Sequence, residues 1–91
     1  MPTIDRVAGF RIGFFSSDRP EPPHVHAETG EGQAKFWLSP VELSWSRGFA
    51  GHEVRDAERI IRARAGFYLE KWHAHFADGN DPLRDEGQGD G

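Results

Sequence analysis

The run Pro22-Pro23-His24-Val25-His26-Ala27-Glu28 alternates two imidazoles and a carboxylate, each able to bind an ion or move a proton, with small apolar residues. Imidazole titrates near pH 6.5, so paired histidines can act as base and acid close to neutrality. The alternation with small apolar residues is a strand pattern, because successive strand side chains point to opposite faces. Read as a strand, the run puts His24, His26 and Glu28 on one face and turns Val25 and Ala27 to a core. Two imidazoles on one face could hold a divalent metal, with Glu28 or Asp18 as third ligand and water as fourth. Without a metal, one histidine could take the 2′-hydroxyl proton of RNA while the other protonates the leaving oxygen. With neither, the row is a polar face that meets water or a partner.

Other residues fall on the same face in this reading. Arg11 and Lys35 could hold a phosphate and stabilise developing negative charge, and Trp37 could stack a base. His24, His26, Lys35 and Arg11 are thus the candidate catalytic set, and His24, His26 and Glu28 the candidate metal set. Trp37 is a candidate binding residue, with Arg55, Arg59 and Arg62, which share a helix face. Glu53, Asp56 and Glu58 are interleaved with those arginines and favour a salt-bridged solvent face. His73 and His75 stand two apart in a helical stretch and point away from each other, so they do not form a chelating pair. His52 receives no role. No phosphate-binding glycine loop, His-Glu-x-x-His motif or nucleophile elbow is present.

The elements that must position these groups follow from periodicity. Thr3, Ile4 and Val7 suit a brief strand, and Phe10-Arg11-Ile12-Gly13-Phe14 alternates with Phe10, Ile12 and Phe14 inward. Residues 16–22 are turn-formers, and Pro22 and Pro23 belong at a strand's start or edge. Gly30-Glu31-Gly32 reads as a hairpin turn, followed by a strand with Ala34, Phe36 and Leu38 inward and Trp37 outward. After Ser39-Pro40 a further strand would turn Val41, Leu43 and Trp45 inward. From about Gly51 to Phe76 the period becomes helical: Val54, Ala57, Ile61, Ala65, Tyr68, Trp72 and Phe76 make one stripe, with Gly66 marking close packing or a bend. The expected fold is α+β: a small antiparallel sheet of three to four strands packed by one long C-terminal helix. Residues 1–77 are expected to form the domain, and residues 78–91 an acidic, Gly-rich, disordered tail.

The chain has 91 residues, enough for one small core, and no cysteine for a disulfide or thiolate site. Its net charge of −4 resides in the tail, where Asp78, Asp81, Asp85, Glu86 and Asp90 face Arg84 alone. The body is neutral and neither demands nor forbids nucleic acid. No apolar run reaches spanning length and no signal pattern opens the chain, so no membrane association and a cytoplasmic location are expected.

Met1-Pro2-Thr3-Ile4, Gly9-Phe10-Arg11-Ile12, the Pro22-Pro23-His24-Val25-His26 box, Ala34-Lys35-Phe36-Trp37-Leu38, Gly48-Phe49 and a helix ending in Trp72 and Phe76 resemble a bacterial family known as domain of unknown function 4160. The resemblance spans residues 1 to about 77, with Ala27 where a valine is expected. It supplies no catalytic residues; it implies a small bacterial protein of toxin–antitoxin or regulatory type that works with a partner. The expected function is therefore a binding or regulatory module that docks a protein partner or a second copy through the sheet face around His24, His26 and Trp37. The alternative is a toxin-like ribonuclease or phosphate-ester hydrolase using His24 and His26, with or without a divalent metal.

Overall fold

In a computed structural model of the chain, which describes residues 2–18 and 20–77, a five-stranded antiparallel meander carries two helices on one face. The strands are β1 (Thr3–Val7), β2 (Phe10–Gly13), β3 (His24–Thr29), β4 (Gly32–Leu38) and β5 (Val41–Arg47), in that spatial order. The helices are α1 (Gly51–Ala63) and α2 (Ala65–Ala77). The α+β class holds, but the strand count and the single helix do not. The lead-in forms a full fifth strand because Ala8 and Gly9, at φ 53° and 85°, make the tight turn that folds β1 back on β2.

The core lies where the alternation places it. Phe10, Ile12, Phe14, Val25, Ala27, Ala34, Phe36 and Leu38 are buried against Ala57, Ile61, Tyr68 and Trp72. Full burial of a side chain such as Ile12, Phe36 or Ile61 stabilises the fold by roughly 1.5–3 kcal/mol relative to exposure.

Two bulges alter what periodicity alone suggests. In β5, Phe36 faces Leu43 but Lys35 faces Trp45, so Ser44 is one residue too many and the alternation flips there. Trp45, expected inside, is turned to the outer face and is 38% exposed; Leu43, on the inner side, lies at the open sheet edge and is equally exposed. In β1, Thr3 pairs with Gly13 and Asp5 with Ile12, leaving Ile4 extra. Asp5 thereby lies on the helix side, where it accepts hydrogen bonds from Tyr68 Oη at 2.8 Å and Arg64 at 2.9 Å.

That anchor sits at the break between the helices. Arg64 leaves helical geometry (φ −113°, ψ 13°) and its side chain ties the joint to β1. The apolar stripe runs through the joint without interruption, so periodicity predicts one helix. Gly66, the position singled out in the sequence, lies two residues past the break, inside α2, and a Cβ there would meet nothing within 4 Å, which removes close packing as its reason. At the start of α1 the Glu53 carboxylate accepts the Ala50 N–H at 2.7 Å. The acidic tail lies outside the described residues.

Candidate functional site

On the outer face, the strand register stacks side chains into rows, because directly opposed residues of antiparallel strands share a side. The first row is Arg11, Glu28, Gln33 and Arg47, one from each of β2 to β5. It is closed by hydrogen bonds: Arg11 to Glu28 at 2.7 Å, Gln33 to Glu28 at 3.0 Å and Arg47 to Gln33 at 2.9 Å. The second row is Gly13, His26, Lys35 and Trp45, and the third His24, Trp37 and Glu42.

The connection from β2 to β3 folds over the His24 end of these rows. Its one-turn 3₁₀ helix, Ser16–Asp18, is closed on Phe15: Asp18 N–H donates to the Phe15 carbonyl at 2.9 Å, and Phe15 N–H to Asp18 Oδ2 at 2.8 Å. The same Oδ2 lies 3.1 Å from His24 Nε2 and 3.3 Å from His26 Nε2. Further along, Glu21 pairs with Lys35, whose ammonium stands 4.6 Å over the Trp37 ring.

His24 is completely buried. Its ring lies 5.6 Å from Trp37, 5.0 Å from Trp72 of α2 and 5.2 Å from His26. This corrects the expectation that both imidazoles emerge on an open face. The two rings do converge, but the connection and Trp72 seal one of them. His24 therefore cannot touch a docking partner or an RNA phosphate, as the docking and hydrolytic expectations required. His26 keeps 14% of its side chain exposed. Burial is the main cause lowering its pKa below the usual 6.5; Asp18 opposes this, while His24 and Lys35 reinforce it.

The other candidates are placed as follows. Glu28 is not beside the histidine pair's inner nitrogens but is engaged by Arg11 and Gln33, so it is no part of a metal set; Asp18, the other third ligand weighed from the sequence, is the carboxylate that meets both rings. Arg11 and Lys35, assigned to a phosphate, are each paired with a carboxylate. Arg55, Arg59 and Arg62 line a depression of about 450 Å³ on α1 with Glu58 and Ala63. Arg59 is paired with Asp56 and Arg62 with Glu58, as the interleaved charges suggested. His75 meets Ser16 Oγ at 2.9 Å, and His73 is exposed. Sequence reasoning missed Trp45 and Phe15 at the face: their rings lie 6.2 and 5.3 Å from His26, and both residues are 38% exposed. The bulge hid the first and the 3₁₀ turn the second.

The family model described as "Domain of unknown function (DUF4160)" matches residues 9–73. The chain belongs to this family. The DUF4160 match takes in β2 to β5, α1 and most of α2, including the whole Asp18–His24–His26 convergence. No curated protein and no solved structure matches the chain. No helix among the described residues is long and apolar enough to cross a membrane.

Proposed function

We propose that this DUF4160 protein is a binding module that docks a protein partner on the outer face of its sheet, in a patch formed by Phe15, His26, Trp45 and Arg47. The reading is carried by the bulge at Ser44, which spends a large aromatic on the solvent side of a small domain that needs apolar burial. Arg47 stands 5.5 Å over Trp45 and donates to the neutral amide of Gln33, so its charge is not committed to a carboxylate among the described residues. The fitting partner offers apolar side chains to Phe15 and Trp45 and a carboxylate to Arg47. Trp37, central in the sequence-based expectation, is a margin beside Lys35 in this reading. Aromatic residues and arginine are the types that dominate protein interfaces. A nucleic acid fits less well, because Arg11 and Lys35 are each neutralised by a carboxylate, leaving little net positive field for phosphates. A role in a toxin–antitoxin pair is one regulatory form of this docking.

The test is capture with the full chain, then reconstitution from purified components. A Trp45→Ser/Arg47→Glu protein, folded by circular dichroism, should lose the complex that the unchanged protein forms. Sedimentation of the protein alone separates a second copy from a different partner. Equal binding by the doubly substituted protein would remove the proposal.

A further inference from the structure

His24 presents a problem of valence that the protein alone leaves open. Its Nδ1 lies 2.9 Å from the Pro22 carbonyl oxygen, an acceptor only, so Nδ1 carries the proton and donates it. In the neutral ring, Nε2 is then a bare lone pair. This nitrogen is fully buried and makes no hydrogen bond, although Asp18 Oδ2 is only 3.1 Å away. The distance is that of a hydrogen bond, but with the ring proton on Nδ1 neither atom has a proton to donate. A buried acceptor facing a carboxylate oxygen has two lone-pair carriers in contact, which is costly unless something positive lies between them.

The geometry points to a divalent transition-metal site of zinc type formed by Asp18, His24 and His26. The three ligand atoms all lie within 4.8 Å of one another. Tetrahedral zinc with bonds of about 2.0–2.1 Å separates neighbouring ligand atoms by roughly 3.3 Å. The separations of Asp18 Oδ2 from the two Nε2 atoms, 3.1 and 3.3 Å, match such edges. His26 Nε2 itself stands in hydrogen-bonding geometry to that Oδ2, a contact that a bound ion would replace. The donation from Nδ1 to a backbone carbonyl is the outer contact that orients a ligating histidine. Two imidazoles and one carboxylate suit zinc, cobalt or nickel better than magnesium or calcium, which prefer oxygen. Glu21 and Lys35 cancel next to the site, so Asp18 leaves it one negative charge. The fourth position falls to water or an incoming group on the side of Asp18 and His26, away from the fully buried His24. A bound ion would pin the Ser16–Pro23 connection to β3. This inference does not depend on the docking reading.

The experiment is calorimetric titration of untagged, chelator-treated full-length protein with Zn²⁺, and visible absorption with Co²⁺. One equivalent should bind, the cobalt form should show the intense bands of a four-coordinate site, and the melting temperature should rise with Zn²⁺. Because outer contacts alone are worth about tenfold or more in affinity, Asp18→Asn and His26→Gln should each weaken zinc by more than about tenfold. Both positions are part-exposed, so these substitutions disturb the fold less than one at the fully buried His24. His52→Ala and His73→Ala should bind as before. Absence of stoichiometric zinc binding by the folded protein, or binding that survives both Asp18→Asn and His26→Gln, overturns the assignment.

Discussion

The β3 box and the α1 arginine stripe both offer candidate site residues in the sequence, and the fold treats them in opposite ways. Around His24 the chain closes: a loop carboxylate, two tryptophans and a second imidazole converge on a ring with no access to solvent. On α1, Arg59 and Arg62 reach only the carboxylates three and four residues before them and remain largely in water. The difference lies in the distance along the chain between partners. Asp18 and His24 meet because a turn-rich connection folds back on the sheet, which fixes their geometry. The helix pairs are neighbours by helical repeat alone and carry no such constraint. Functional geometry is to be sought where the fold had to bring groups together.

The largest test of this contrast is His24→Ala, which empties a buried aromatic-sized site. It should cost about 3 kcal/mol of unfolding free energy by urea denaturation; a loss below about 0.5 kcal/mol would put His24 on a par with the helix arginines. Next, Tyr68→Phe removes the hydroxyl whose pKa burial pushes up and which donates to Asp5 at the helix joint. A loss of roughly 1–1.5 kcal/mol is expected in the same assay. A pH series sharpens the comparison further. His26 has a lower pKa folded than unfolded. Its contribution to stability is complete above the unfolded value of about 6.5 and is lost as pH falls through the folded value. In chelator-treated protein, the melting temperature should therefore drop on the acid side of pH 6.5, and His26→Gln should flatten that slope. The smallest effect belongs to α1: Arg59→Ala and Arg62→Ala should each change stability by less than about 0.5 kcal/mol, because exposed ion pairs are screened by water.

Much of this was legible in the residues. Strict alternation in Phe10-Arg11-Ile12 and in Ala34 to Leu38 placed those core residues correctly, since a two-residue period admits one buried face. The box histidines also fell on a shared side. What failed depended on single-residue events. One inserted residue, Ser44, reversed Trp45 without altering the apolar pattern that predicted it inside. The break at Arg64 kept the helical stripe in phase, so it left no mark beyond Gly66. The sealing of His24 depends on where residues 16–23 travel, and a turn-rich segment announces that the chain bends without saying over what.

The extra residue at Ser44 lies in β5, an outermost strand whose second side meets no other strand among the described residues. A flat margin of seven residues would invite the addition of another chain, strand upon strand, into growing polymers. The local kink and added twist spoil that template. The same insertion that presents an indole to solvent thus discourages fibrous self-assembly.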